Sequence, residues 1–354
     1  MTKKHKITLI SAGIIVLACL ILGGVLFFVL SNDSKGTAWQ YPLNPYNLFK
    51  DKNVAKDLVA CKLCGEKVNK KIANQYPVGV MIDNHTSARP AINLIDACVV
   101  YETLVEGGIT RIMAVYADGK IDQIGPVRSA RPYYLDWVSE YDGLYVHAGG
   151  SPRALELIYT YGILDMNHSE NAFFRDLKGG YIAPHNLFVE IDKIRKNGKN
   201  KYELKDEIRQ RFKFKKETPT DSDFINSISI DYSNYADFSV RFDYDPNNNS
   251  YLRYLGGQAD LDGLSKQQIE VKNLVVQISP TWMEGDGSAR IDMQTQGSGN
   301  AYVFRDGKMI NATWAKIDRE SKTIYSDSSG KEIKMNRGMT WISVVSDGST
   351  LNYE

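Results

Sequence analysis

From Ile7 to Leu30 the chain carries no charged side chain, and this run decides where everything after it must fold. A helix of that length crosses the roughly 30 Å hydrocarbon core of a bilayer. The run also exceeds the roughly 7–15 apolar residues of a cleaved secretory signal. Lys3, Lys4 and Lys6 precede it, whereas Asn32, Asp33 and Ser34 follow it. Positive charge on the N-terminal side holds that end in the cytoplasm and sends the remainder outward. The expectation is a single-pass membrane anchor over 1–36 with an extracytoplasmic bulk. Cys19, after Val16-Leu17-Ala18, offers an alternative, a degenerate lipoprotein-processing site.

Lys plus Arg number 43 against 42 Asp plus Glu, a formal net charge of +1. Such a balance creates no overall field toward nucleic acid, which is excluded as a partner. Beyond the apolar run lie Cys61, Cys64 and Cys98. Cys61-x-x-Cys64 has the spacing of a redox or zinc half-site, but zinc needs a second ligand pair, and no further Cys-x-x-Cys or His-x-His occurs. The reading is therefore no metal and no cofactor, with Cys61 and Cys64 a local disulfide or idle thiols. Cys98, in Asp96-Ala97-Cys98-Val99-Val100-Tyr101, reads as a small buried hydrophobe.

Residues 37–74 read as a linker, with Pro42, Asn44, Pro45 and Asn47 and then a lysine-heavy stretch. From Pro77 short apolar runs alternate with helical patterns: Val78–Ile82, Ala97–Leu104 and Ile109–Tyr116 as strands, Ser129–Glu140 and Pro152–Tyr161 as helices. That alternation predicts an α/β layered domain over 75–220, with the charged stretch 196–220 a solvated helix. Short alternating runs from Phe238 to Val345 predict a C-terminal antiparallel all-β domain over 225–354. The fold class is thus α+β or α/β: an N-terminal transmembrane helix, an α/β layered domain and an antiparallel all-β domain. Its 21 Tyr and 5 Trp suit aromatic strand faces.

Polar clusters gather at the joints of the first domain. Arg111, Arg128 and Arg131, with Ser129, sit beside a helix start, where guanidinium forks and free backbone N–H groups would converge on an anion. The same arginines could instead pair internally with Glu102, Glu106 or Asp136. His147-Ala148-Gly149-Gly150-Ser151 is a second strand-to-helix joint, and Gly149, Gly150 and Ser151 join the anion-site candidates. Asp83, Asn84, His85, Glu102, Glu106, His147 and His185 complete the candidate pocket, the histidines suiting acid–base work or hydrogen bonding.

Five stretches resemble the YerB-like family of bacterial envelope lipoproteins: Pro77 to His85, Val105 to Arg111, Ile124 to Pro132, Tyr145 to Ser151 and Arg290 to Thr295. The resemblance implies two family domains and an envelope location, but lends no reaction. A fainter similarity, to envelope phosphotransferases that hold a polyprenyl pyrophosphate with arginines, names an anion. Three functions stay open. The first is capture of an anionic cell-wall or polyprenyl-phosphate ligand through Arg111, Arg128 and Arg131. The second is a scaffold for an envelope protein partner. The third is a phosphotransferase or hydrolase in which Asp83, Glu102 or Glu106, with magnesium, acts on a lipid-linked pyrophosphate.

Overall fold

The computed structural model describes residues 57–118, 121–177, 179–204 and 208–354. The apolar run 7–30, Cys19 and most of the linker lie outside the described residues. The chain enters with a hairpin, β1 (Leu58–Ala60) and β2 (Lys67–Asn69). Strands β3 (Val78–Asp83), β4 (Val99–Leu104) and β5 (Thr110–Tyr116) follow. Next come helix α1 (Pro132–Ser139), β6 (Leu144–His147), α2 (Pro152–Thr160) and β7 (Asp165–Asn167). A hairpin of β8 (Phe173–Arg175) and β9 (Leu187–Val189) leads into α3 (Ile191–Lys201).

Among the described residues every later regular element is a strand or a 3₁₀ turn. These strands are β10 (Ser227–Asp231), β11 (Val240–Asp245), β12 (Ser250–Leu255), β13 (Gln258–Ala259), β14 (Glu270–Val271), β15 (Asn273–Ile278) and β16 (Thr281–Met283). The last six are β17 (Ile291–Met293), β18 (Gly297–Arg305), β19 (Lys308–Lys316), β20 (Ile324–Asp327), β21 (Thr340–Val345) and β22 (Thr350–Tyr353).

One ten-stranded mixed sheet, in the order β20-β19-β18-β15-β21-β4-β5-β3-β6-β7, runs through both halves of the chain. Its seam is the parallel pair β21–β4, with Thr340 opposite Val99 and Ser343 opposite Glu102. This overturns the expected fold class. The structure is largely β, with three α-helices among the described residues, rather than an α/β layer followed by a separate antiparallel unit. Five late strands complete the sheet that the early strands begin. None of the described helices is long and apolar enough to cross a membrane. The charged segment expected as a helix over 196–220 is helical only to Lys201.

The sequence alternation misled because β3 and β21 are buried at every position, and a doubly covered strand reads as a continuous apolar run with no indication of its neighbours. The period-2 pleat splits β3 between two cores. Val80 and Ile82 join Ile228, Phe242 and Trp341 beneath the second sheet, order β13-β12-β11-β10-β22, while Met81 joins Tyr133, Trp137 and Val138 beneath α1. Gly79 permits that approach, since a Cβ there would stand 2.9 Å from a Val138 methyl. Many tyrosines serve this core. Tyr101 stacks on Trp137 at 5.0 Å between ring centres, Tyr133 donates to the Leu104 carbonyl and Tyr134 to the Arg111 carbonyl.

Between the two sheets Arg253 of β12 is fully enclosed. Its Nη2 lies 2.9 and 3.1 Å from the two oxygens of Glu102 on β4, Nη1 pairs with Asp260, and the guanidinium sits 4.4 Å over the Trp341 ring. Arg253→Ala would strand the Glu102 carboxylate in the core, and breaking such a pair costs about 3–5 kcal/mol. Denaturant unfolding should show a loss of that order, and a smaller one for Arg253→Lys, which keeps the charge without the fork.

Candidate functional site

Strand β3 ends on Asp83, whose buried carboxylate gathers three groups. Oδ2 accepts from His185 Nδ1 at 2.7 Å and faces Arg128 Nε at 3.2 Å, while Oδ1 accepts from the His85 backbone N–H at 3.1 Å. Backbone pairing delivers Arg128, because its N–H donates to Met81 O at 2.9 Å and Asp83 N–H donates to Pro126 O at 2.8 Å. His185 arrives from the β8–β9 connection and stacks on His85 with ring centres 4.5 Å apart and planes 12° apart.

Hydrogen-bond partners assign the tautomers of the two stacked rings. His185 Nδ1 faces a carboxylate that only accepts, so this nitrogen donates and a neutral ring carries its lone pair on Nε2. His85 Nδ1 accepts from the Ser87 N–H, so a neutral His85 carries its proton on Nε2. The stacked pair thus presents one acceptor and one donor side by side. Arg128 makes its ion pair through Nε, and its two terminal nitrogens have no partner among the described residues. Its side chain keeps 27% of its surface exposed.

The other two arginines are committed. Arg131 grips Glu106 with both arms of its fork, Nε at 2.8 Å, and donates to Ala130 O at 2.7 Å. Arg111, directly across the ladder from Asp83, lies 4.0 Å from the same Glu106 and donates to Ser129 O. Both are almost fully buried. Burial alone would raise the Glu106 carboxyl, but Arg131 and then Arg111 outweigh it and hold it below the ordinary carboxylate range. The expected trio therefore does converge around Asp83 and Glu106, yet only Arg128 remains open. Three guanidiniums face two carboxylates, leaving a surplus of one positive charge.

The remaining candidates divide in the same way. Glu102 is fully buried, and its oxygens serve Arg253, Asn84 and Thr110. Asn84 in turn accepts from Arg89 Nε. Ser151 caps α2 by accepting from Ala154 N–H, and Gly150 forms a parallel bridge with Ala130. Gly149, at φ +68°, turns its carbonyl onto His147 Nδ1 at 2.7 Å, and a Cβ there would stand 4.0 Å from Ser129 Oγ. His147 Nε2 lies 2.8 Å from Asp165, which the sequence did not single out. Burial would raise the Asp165 carboxyl, and His147, Asn167 and Lys201 together hold it low instead. His147, Gly149 and Asp165 also rim a groove of about 750 Å³ lined by Leu155, Ile158 and Tyr159 of α2. Arg253 was also missed, although it shares strand parity with buried Tyr251 and Leu255, and that phase was visible.

Residues 63–205 match the family model described as "Protein of unknown function (DUF3048) N-terminal domain", and residues 228–342 match its C-terminal domain. A relative in Bacillus subtilis (strain 168), named "Putative lipoprotein YerB", is 30% identical over 303 residues, 83% of this chain and 88% of its own. The crystal structure of the Bacillus subtilis YerB protein aligns with a TM-score of 0.74 at 26% identity, covering 83% of this chain and 99% of that one.

Glu106 supplies a pH test. Its folded carboxyl titrates below the ordinary value of 4.5, so its stabilisation is complete above that pH and disappears as pH falls through the lower folded value. Glu106→Gln should cost about 1–2 kcal/mol at pH 7, a charged hydrogen bond discounted for partial exposure. The variant's stability curve, followed by urea unfolding from pH 7 to 3, should also fall less steeply in acid than the parent's.

Proposed function

Because the chain belongs to the DUF3048 family, with a relative named as a lipoprotein, we propose that it is an envelope lipoprotein that binds an anionic envelope ligand. Its site is the mouth formed by Arg128, His85 and His185. The observation that carries this reading is the single Asp83 oxygen that orients both His185 and Arg128 while the terminal nitrogens of Arg128 have no partner among the described residues. A phosphate or carboxylate arriving there meets a guanidinium fork and the Nε2–H of His85, with a surplus positive charge behind them. Fixed donors of this kind bind without the entropy loss of ordering them first. Location outside the cytoplasm follows from the lipoprotein reading, with Cys19 as the lipid acceptor, and intact-mass measurement of detergent-extracted protein tests it by a diacylglyceryl adduct on a chain beginning at Cys19.

The stacked histidines favour a second reading, in which the bound anion is a phosphoester. An attacking water would lose its proton to His185 Nε2, held by Asp83, as the P–O bond breaks and the leaving oxygen takes the proton of His85 Nε2. Product formation from a polyprenyl pyrophosphate, lost in His185→Asn, would promote that reading over simple capture.

Calorimetric titration with a polyprenyl pyrophosphate or a polyol-phosphate fragment tests capture. Arg128→Ala should weaken binding about 10–100-fold, the worth of a charge-assisted hydrogen bond, with only a modest loss of melting temperature because His185 still pairs with Asp83. Arg131→Ala, by contrast, should lower the melting temperature. Equal affinity in parent and Arg128→Ala would remove the site from consideration.

A further inference from the structure

At the end of strand β5 opposite Arg111, four buried groups meet. Cys61 and Cys64 come from the turn of the β1–β2 hairpin, Cys98 immediately precedes β4, and Asp118 lies two residues past β5. Their ligand atoms all fall within 4.8 Å of one another. Cys61 Sγ is 3.8 Å from Cys98 Sγ, and the Asp118 oxygens stand 3.4 Å from Cys64 Sγ and 3.2 Å from Cys98 Sγ. A tetrahedron with zinc–sulfur bonds of about 2.3 Å and zinc–oxygen bonds of about 2.0 Å has S···S edges near about 3.8 Å and S···O edges near about 3.5 Å. The Cys61–Cys98 edge matches, the two contacts to Asp118 use different oxygens of its carboxylate, and all four ligand atoms lie within 4.8 Å of one another, so small side-chain rotations would close the tetrahedron. We propose that Cys61, Cys64, Cys98 and Asp118 form a tetrahedral zinc site that pins the β1–β2 hairpin to the central sheet.

The hairpin has the local form such a site uses. Gly65 N–H bonds back to Cys61 O at 2.9 Å, and Cys64 N–H points at Cys61 Sγ at 3.4 Å, a backbone donor that stabilises a thiolate. Gly65 adopts φ +75°, and a Cβ there would collide with the Phe214 ring, so the turn requires glycine. Asp118 is a buried carboxylate whose hydrogen-bond partners among the described residues are two thiols, which are weak donors. A cation supplies what those thiols do not. Arg195 donates to Tyr76 O and Gln75 Oε1 and pairs with Asp192, its Nη2 is buried without a hydrogen-bond partner among the described residues, and its charge also interacts with Cys98 and Asp118. Three thiolates and one carboxylate on a dication leave an excess of negative charge for that guanidinium to offset.

Three thiolates select a soft or borderline ion over magnesium or calcium. Four protein ligands, all buried, leave no open coordination position, which marks a structural site rather than a catalytic one. The mechanical need is plain, because two strands of three residues each do not hold together alone. Sequence spacing hid the site: the second ligand pair comes from the ends of two separate strands rather than from a second Cys-x-x-Cys.

The test is elemental analysis of the full chain, extracted in detergent under reducing conditions. One zinc per chain is expected, with an X-ray absorption edge fitted by three sulfurs and one oxygen or nitrogen. Cys98→Ser should lose the metal, and Asp118→Asn should release it to a chelator at least about tenfold faster than the parent does. If either variant fails to fold, cobalt(II) exchanged into the unaltered chain decides. Tetrahedral ligand-field bands with thiolate charge transfer support the site, and octahedral or absent bands overturn it. In a parallel extraction without reductant, a metal-free chain lighter by two hydrogens, with Cys61 joined to Cys64 or Cys98, also overturns it.

Discussion

Glu102 and Arg253 close the contact between the two sheets, and the candidate site hangs from the same carboxylate. Burying two charges is costly, and both Glu102 oxygens and both terminal nitrogens of Arg253 find partners, while Arg253 Nε has none among the described residues. Arg253 and Thr110 take the Glu102 oxygens directly, and the Asn84 amide takes Oε1 as well. Asn84 is also the residue between Asp83 and His85. Its side chain and carbonyl together hold Arg89, which reaches across to Asp237 O beside β11. The loop that aims His85 and Asp83 is therefore set by the same network that joins the sheets, and neither can shift without opening a buried charge.

This arrangement explains why nominally equivalent arginines play unequal parts. Arg111 and Arg131 lie where burial penalises an uncompensated charge most, and they share Glu106. Arg128 is partly exposed, so water screens its charge, and its pairing to Asp83 through one nitrogen suffices. Burial thus sorts the cluster into two fixed guanidiniums and one available one, with Asp83 as the hinge between them. Two neighbouring imidazoles then extend the mouth without adding a carboxylate to compete with an incoming anion.

Much of this was legible in the residues. Strand ends carrying polar clusters were evident at Asp83-Asn84-His85 and around Arg128, and His185 was a candidate although a long stretch of chain separates it from Asp83. Helices at Pro132 and Pro152 were marked by proline in the first turn. What could not be read was pairing at long range. No local signal tells that Thr340 will lie beside Val99, since a strand covered on both faces looks the same whatever its neighbours are. That omission assigned the strands of one sheet to two different fold classes. Arg253 is a different matter: its phase with Tyr251 and Leu255 already placed a charge on an inward face, and an inward arginine demands a carboxylate.

Strand β5 relates the two clusters. Arg111 lies near its start, against Asp83 and Glu106, and Asp118 lies just past its end, among the cysteines. Seven residues of extended chain place them about 23 Å apart. The strand between is buried throughout and paired on both sides, by β3 and by β4. At its far end Cys98 and Asp118 meet the cysteines of the incoming hairpin, while the near end keeps Arg111 and Asp83 in register. Close-packed strands of this kind have little freedom to shift. The geometry at Asp83 is accordingly a property of the sheet, and a ligand there meets groups already in position.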